Sequence, residues 1–174
     1  MREKTIKSKR IYKGRYIGLR DDWVCLATGR ITRREICEHP GAVAVIAVTP
    51  KKEIVLIRQF RKPAEKVLYE IPAGLVDNGE SQNEAARREL KEETGYKTKK
   101  IKKVLSAFTT PGYSTEVLHY FLAEKLSKHK QECEDDEHIE VALVPIDKAV
   151  QMVKSGKIDD NKTIIGIMYA KWMI

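Results

Sequence analysis

Residues 74–96 read GLVDNGESQNEAARRELKEETGY, and they contain the signals of one amphipathic helix. Ser81 is a good N-cap, and Glu84 follows three residues later, so the two form a capping box. Strong helix formers continue through Glu93, and Gly95 supplies the usual C-terminal stop. The stretch therefore predicts a helix over Gln82–Glu93.

The predicted helix carries three glutamates on one face. Glu89, Glu92 and Glu93 are spaced i, i+3 and i+4, so their side chains share one side of the helix. These like charges repel, and the negative end of the helix dipole makes acidic groups still less favourable. A hard divalent cation such as Mg²⁺ compensates this arrangement, because it takes carboxylate oxygens and keeps positions for phosphate. Arg88 is placed to pair with a carboxylate from elsewhere in the stretch, and we expect that partner to be Glu80.

The rest of the chain alternates extended segments with breaks and ends in two helices. The order indicates an α+β fold with a mixed sheet. Ala42–Thr49 is a nearly continuous apolar run, typical of a buried strand, and with Glu53–Phe60 it predicts a hairpin around a tight turn. The predicted strands are Thr5–Tyr12, Tyr16–Leu26, Ile31–Cys37, Ala42–Thr49, Glu53–Phe60, Tyr69–Ile71, Ile101–Ala107, Glu116–Glu124 and Val141–Val144, and the closing helices are Asp147–Lys154 and Lys162–Trp172.

A break at His39-Pro40-Gly41 divides the predicted elements. Residues 1–40 contain only short strands and turns, so we expect a small antiparallel β-domain there. Residues 41–174 then form the main domain. A strand-rich segment of this size is too short for a core of its own, and we therefore expect it to support a homodimer.

Composition limits the classes of protein to which the chain can belong. It has 174 residues, of which 42% are hydrophobic, and this suits a packed globular domain. No apolar run approaches the ~18 residues of a membrane span, and the charged start lacks the apolar segment of a secretory signal. Cys25, Cys37 and Cys133 are odd in number and show no paired metal-type spacing. We expect reduced thiols, a cytoplasmic protein and no membrane partner.

The net charge of +8 favours anionic partners, although it does not choose among phosphates, nucleic acid and membrane surfaces. A solvated lysine-rich surface explains it equally. Basic and aromatic residues are not interleaved as in single-strand readers, so we expect no nucleic acid partner. The acidic residues, in contrast, cluster at 80–93 and 132–140.

The spacing within residues 74–96 matches a family pattern. It follows G-x5-E-x7-R-E-U-x-E-E-x-G-U, where U is a bulky apolar residue and Tyr96 is a mild variant. An ordinary charged helix does not explain Gly74, Glu80 and Gly95 at these distances, and the chain resembles the Nudix hydrolases. The resemblance implies an α/β/α sandwich around a mixed sheet. It also implies hydrolysis of a nucleoside diphosphate linked to another moiety, with more than one Mg²⁺ or Mn²⁺ ion per site.

The resemblance further implies roles for individual residues of the pattern. The implied metal ligands are Glu89, Glu92, Glu93 and the carbonyl oxygen of Ala73; the implied catalytic residues of the motif are Arg88 and Glu92; Gly74, Glu80 and Gly95 are implied to shape it.

Three features resemble the branch of the family that hydrolyses ADP-ribose and nucleoside diphosphate sugars. Pro111 lies 16 residues after Gly95, although a proline followed by glycine is also a common turn. The stretches 58–61 and 70–74 and the strand-rich first 40 residues are similar to that branch, in which the N-terminal part builds a dimer. The implied substrate is ADP-ribose, cleaved to AMP and ribose 5-phosphate. The implied substrate-binding residues are Arg34, Arg61, Gly74 and Pro111, and surface charge is the alternative for both arginines.

The second acidic cluster, Glu132–Glu140, is the place to look for a base that activates water. A run of this kind is usually a solvated loop. It is also similar to the loop that supplies the base in the ADP-ribose branch, and that likeness selects Glu137, with Glu134, Asp135 and Asp136 as alternatives.

Two other functions remain open. One is hydrolysis of another nucleotide, such as GDP-mannose or a dinucleoside polyphosphate. The other is a Nudix-fold sensor without catalysis, although sensors often lose carboxylates that this chain keeps.

Overall fold

The fold contains ten strands and three α-helices in the residues that the computed structural model describes, 2–132 and 138–173. The α+β class predicted from the order of elements is confirmed. None of the helices in this part of the chain is long and apolar enough to cross a membrane. The strands are β1 (Lys4–Lys13), β2 (Gly18–Cys25), β3 (Ile31–Glu38), β4 (Ala42–Ala47), β5 (Glu53–Arg61), β6 (Lys66–Glu70), β7 (Ala73–Leu75), β8 (Tyr96–Phe108), β9 (Val117–Lys128) and β10 (Glu140–Pro145); the helices are α1 (Gln82–Thr94), α2 (Ile146–Lys154) and α3 (Asn161–Met173), and a 3-10 turn covers Lys62–Ala64.

Strand β4 lies inside the four-stranded sheet, between β7 and β9. The strands form three sheets, with orders β1-β2-β3, β10-β5-β6 and β7-β4-β9-β8, and every residue of β4 is buried. Val43 and Val45 share the apolar cluster with Leu90 of α1. Ile46 faces the other way, where a Cβ added to Gly166 of α3 would lie 3.3 Å from its Cγ1. Because side chains alternate along a strand, the unbroken apolar run in the sequence reflects a helix on each face.

The predicted hairpin between Ala42–Thr49 and Glu53–Phe60 is wrong beyond its turn. The turn is tight, with Lys52 at φ 59° and one antiparallel bridge between Val48 and Ile54. The strands then enter different sheets, since β4 lies between β7 and β9 while β5 lies between β10 and β6. The backbone of β4 is buried, so both of its edges need hydrogen-bonding partners, and β7 and β9 supply them.

Strand β7 was not predicted, because it has only three residues and directly follows Pro72. Ala73 and Gly74 pair with Ala44 and Val43. This pairing fixes the backbone of the Ala73–Leu75 segment beside the strand on which α1 packs. The glycine that opens the sequence motif is therefore part of the sheet and not of a loop.

Contacts divide the chain into two compact units, Met1–Gly41 with Ala107–Leu118 and Ala42–Ser106 with His119–Ile174. In the first unit β1, β2 and β3 form an antiparallel sheet. Cys37 N–H donates to the carbonyl of Tyr113 at 2.7 Å, and Thr115 N–H donates to the carbonyl of Cys37 at 3.0 Å. The domain expected over residues 1–40 did not include the segment 107–118, because nothing local in the sequence joins the two.

Gly95 ends α1 in a conformation and a position that both require glycine. Its φ is 70° and its N–H donates to the Lys91 carbonyl. A Cβ at this residue would lie 2.6 Å from the carbonyl oxygen of His129.

We expect Gly95→Ala to lower the free energy of unfolding by clearly more than Gly156→Ala. Gly156 has a similar φ of +72°, but a Cβ there meets nothing within 4 Å, so its variant measures the left-handed strain alone, about 1–2 kcal/mol. Urea unfolding followed by circular dichroism measures both losses. Equal losses would contradict a close contact at Gly95.

Candidate active site

Helix α1 carries the predicted acidic face and is capped as expected. The Ser81 side chain accepts from the N–H of Glu84, and the Glu84 side chain accepts from the N–H of Ser81, so the predicted capping box is confirmed. Leu90 buries the adjacent side of the helix in the core. Glu93 exposes only 3% of its surface, so this carboxylate lies at the boundary between the core and the acidic face.

Arg88 connects the acidic residues of the motif. Its Nε and Nη2 donate to the two oxygens of Glu80, each at 3.0 Å, and the predicted pairing is present. Its Nη1 donates to Glu89 Oε1 at 2.8 Å and to Glu92 Oε2 at 3.0 Å. Its Nη2 also donates to the carbonyl of Leu75 at 3.0 Å. A guanidinium has five N–H donors, and here all five have acceptors.

This network stabilises the charged forms of both Glu80 and Arg88. The hydrogen bond from Arg88 holds the pKa of Glu80 below its usual value. The same hydrogen bond, followed by the charge of Glu89, raises the pKa of Arg88. Arg88 is therefore a permanent cation whose donors are used within the motif, and it orients the carboxylates.

The backbone of β7 lies against two of the three glutamates. Ala73 N–H donates to Glu93 Oε2 at 2.9 Å. A Cβ at Gly74 would overlap the carboxylate of Glu89. Only glycine at this position lets that carboxylate keep its place, which is a physical reason for the first residue of the motif.

The residues present fit a hard divalent cation. Carboxylate and carbonyl oxygens are the ligands that Mg²⁺ and Mn²⁺ favour, and the four predicted ligands come from the start of β7 and one face of α1. Within residues 2–132 and 138–173, no three acidic, histidine or cysteine side chains form a ready-made metal group. In this geometry Glu89 and Glu92 each accept a hydrogen bond from Arg88, and Glu93 accepts one from the N–H of Ala73.

Arg61, predicted to bind substrate, is held by a carboxylate that sequence reasoning missed. Its Nε and Nη2 donate to the two oxygens of Glu70, both at 2.8 Å, and Lys162 donates to the same carboxylate. Glu70 is fully buried. Burial acts to raise its pKa, but the hydrogen bonds and charges of Arg61 and Lys162 outweigh burial and hold the pKa below its usual value. Glu70 lies in a stretch that resembles the family, whereas nothing in the sequence around Lys162 marked it.

Arg34 and Pro111 belong to the first unit. Arg34 lies on β3 in an exposed ion pair with Glu3, at 2.6 Å. Pro111 lies in the connection between β8 and β9. Their roles in substrate binding stay predictions.

The base predicted at Glu137 lies outside the described residues, and so do the alternatives Glu134, Asp135 and Asp136.

The start of the second acidic cluster is described, and it is attached to the end of α1. Glu132 N–H donates to the carbonyl of Glu92 at 3.0 Å, and Lys91 pairs with the Glu132 side chain. The Gln131 side chain donates to the carbonyl of Glu93 at 2.7 Å. These bonds satisfy carbonyls that the helix end leaves without intrahelical partners, and the sequence pattern did not indicate them.

We expect Gly74→Ala to weaken Mn²⁺ binding by about 10–100-fold, the usual loss when the orientation of a metal ligand is disturbed. The added Cβ displaces Glu89 without backbone strain, since Gly74 has no positive φ. Electron paramagnetic resonance titration with Mn²⁺ measures the affinity. Gly112→Ala is the control, because a Cβ there meets nothing within 4 Å. Unchanged affinity in Gly74→Ala would exclude Glu89 as a metal ligand.

Comparison with known proteins identifies the family of this chain. The model of the NUDIX domain matches residues 38–165. The chain is 44% identical to the ADP-ribose pyrophosphatase of Bacillus subtilis (strain 168) over 171 residues, which cover 97% of this chain and 92% of that protein. It is 43% identical to the methanol dehydrogenase activator of Bacillus methanolicus over 169 residues, covering 96% and 91%.

Among solved structures, one described as an ADP compounds hydrolase superposes with a TM-score of 0.87 at 19% identity, covering 99% of this chain and 94% of that one. At this identity the likeness establishes the fold alone. The domain match and the two Bacillus relatives carry the assignment, and the chain belongs to the Nudix family.

Proposed function

We propose that this protein hydrolyses the pyrophosphate bond of ADP-ribose, with a divalent metal and an activated water, to give AMP and ribose 5-phosphate. The observation that carries the proposal is the complete acidic face of α1, with Glu89, Glu92 and Glu93 oriented by Arg88 and β7. The 44% identity to an ADP-ribose pyrophosphatase over nearly the whole chain supports the choice of substrate.

The proposed ligands of the metal are Ala73, Glu89, Glu92 and Glu93, with Mg²⁺ or Mn²⁺ as the ion and more than one ion per site. A bound ion of this kind supplies Lewis acidity towards phosphoryl oxygens and lowers the pKa of its water. In this chain Arg88 holds the Glu89 and Glu92 carboxylates beside one another, because its positive charge offsets part of their repulsion.

Arg88 acts in this proposal as a positioning residue, since its five donors are used on Glu80, Glu89, Glu92 and Leu75. Arg61 is the better candidate for the substrate. A planar guanidinium suits a phosphate group, and among the described residues Arg61 hydrogen-bonds only through Nε and Nη2. Nη1 is then the nitrogen for the pyrophosphate. Gly74 contributes by keeping Glu89 in place.

The first unit is proposed to contribute Arg34 and Pro111 to substrate binding and to build a homodimer, with residues 1–40 as an N-terminal β-domain. The exposed apolar side chains of its sheet, such as Ile6, Ile11 and Ile31, support an interface. A cytoplasmic location and the absence of a nucleic acid partner belong to the same proposal.

GDP-mannose is the alternative substrate, and its support is the likeness to a relative of that activity. The chain is 38% identical to the GDP-mannose pyrophosphatase of Yersinia enterocolitica over 140 residues, covering 75% of this chain and 73% of that protein. A sensor without catalysis is less well supported, because all the carboxylates of the motif are present.

We expect a panel of nucleotides assayed with Mg²⁺ and with Mn²⁺ to give the highest kcat/KM for ADP-ribose, with AMP and ribose 5-phosphate as products. Glu93→Gln should lower kcat by about 10²-fold or more, since it removes a ligand charge at the reacting centre, while the fold persists. Glu65→Gln, at an exposed residue after the 3-10 turn, is the control. A higher kcat/KM for GDP-mannose would transfer the assignment to that substrate, and near-normal turnover of Glu93→Gln would overturn the site.

We expect Glu137→Gln to lower kcat by about 10²–10⁴-fold with little change in substrate affinity, the usual range for loss of a general base. Glu134→Gln should be nearly silent. Steady-state kinetics on both variants decides between them: the reverse pattern moves the base to Glu134, and two silent variants exclude a base in this cluster.

A further inference from the structure

The β5–β6 hairpin carries a charged cluster in which only Arg61 has a role in the proposed chemistry. Arg61 ends β5 and Glu70 ends β6. Glu70 pairs with Ile57 in the strand register, so Arg61, four residues further along β5, projects on the same side of the sheet. The two side chains meet in a bidentate pair with both bonds at 2.8 Å.

Lys162 joins this pair from a distant part of the chain. It bonds the Oε2 of Glu70 from the first turn of α3 and also pairs with Asp160 at 3.1 Å. The side chains of Lys162 and Asp160 are only 15% and 14% exposed. The cluster therefore contains two cations and two carboxylates, all largely withdrawn from water except Arg61, which is 39% exposed.

The same cluster attaches the N-terminus of α3 to the segment between β6 and β7, which precedes the candidate active site. Asp160 Oδ2 accepts from the N–H of Thr163 at 3.0 Å and from its hydroxyl at 2.6 Å. The Thr163 Oγ1 accepts in turn from the N–H of Ile71 at 2.8 Å. Ile71 is two residues before Ala73, whose N–H donates to Glu93. Hydrogen bonds at Ile71 and Ala73 thus attach one short backbone segment both to α3 and to the acidic face of α1.

Stability alone is a weak explanation for such a cluster. Taking the charges of Glu70, Lys162 and Asp160 out of water is unfavourable, and well-packed apolar residues often stabilise a fold as much as a buried ion network does. What a satisfied network provides is a defined geometry. The network orients the Arg61 guanidinium through two hydrogen bonds to one carboxylate. The hydrogen bonds to Glu70, followed by the charges of Glu70 and Glu93, raise the pKa of Arg61.

We propose that Glu70 and Lys162 are positioning residues for the substrate, which hold Arg61 with its Nη1 directed to the pyrophosphate beside the acidic face of α1. Lys162 acts through Glu70: it keeps the buried carboxylate in the plane that Arg61 needs for two parallel hydrogen bonds. The inference rests on the proposed function, because it assigns Arg61 to the phosphates. It differs from a purely structural role, in which the cluster would attach α3 to the sheet without affecting substrate affinity.

A double-mutant cycle of Lys162→Met and Arg61→Ala tests the proposal, since residues that act as one unit give non-additive effects. Alone, Lys162→Met should raise KM roughly tenfold, as loss of an orienting partner does, with kcat within about twofold. In the Arg61→Ala background it should have no further effect on KM. Lys171→Met is the matched control: it lies on the same helix, in an exposed ion pair with Asp147, and should change neither constant.

Two further measurements separate loss of positioning from a folding defect and from an effect on turnover. Lys162→Arg should restore most of the affinity, because it keeps a cation on Glu70. Lys162→Gln, which removes that cation, replaces Lys162→Met in the cycle if the latter does not fold. Calorimetric titration with ADP-ribose in the presence of a chelator should show the same relative loss of affinity without turnover.

An equal rise in KM in both backgrounds would overturn the proposal, and so would an unchanged KM in Lys162→Met. The cycle is measured with the nucleotide that wild-type protein hydrolyses best. Failure of ADP-ribose as a substrate therefore appears in the wild type, whereas failure of the positioning role appears only in the cycle.

Discussion

Repulsion among three carboxylates at the end of one helix is the constraint on which the site depends. Glu89, Glu92 and Glu93 occupy the end of α1 where the helix dipole is negative, and one of them is almost fully buried. Arg88 makes this arrangement tenable, because a single guanidinium bonds Glu80, Glu89 and Glu92 together. The charge that Arg88 leaves uncompensated is what a divalent cation would neutralise.

The sheet determines where this face is presented. β4 is buried on both faces between α1 and α3, and its edge partner β7 brings two backbone groups to the glutamates. The N–H of Ala73 donates to Glu93, and the absence of a side chain at Gly74 leaves room for the carboxylate of Glu89. A motif that in the sequence consists of a glycine, a gap and a helix is therefore a contact between a strand and a helix in the structure.

Three arginines of this protein bind and orient carboxylates. Arg88, Arg61 and Arg34 all form ion pairs, but their surroundings differ. Arg34 lies in an exposed pair, which contributes little because water screens it. Arg61 is bonded to a fully buried partner, and a cation held in this way has lost its conformational freedom before any ligand arrives. This difference favours Arg61 over Arg34 as the group with a preset geometry.

The sequence by itself determined the parts that are encoded within one short segment. The capping box, the extent of α1, the shared face of the glutamates and the pairing of Arg88 with Glu80 follow from helical spacing and capping. The family followed from the same stretch, since its residues are few and lie at fixed separations.

Only the tertiary structure decided the partners of β4, the strand at Ala73–Leu75, the attachment of segment 107–118 to the first unit and the bond between Glu70 and Lys162. The last of these joins residues 92 positions apart. Periodicity reports which side of an element is buried, but it does not report which other element covers that side. That choice depends on how the whole chain closes its core and satisfies its buried backbone, so it becomes visible only in the folded molecule.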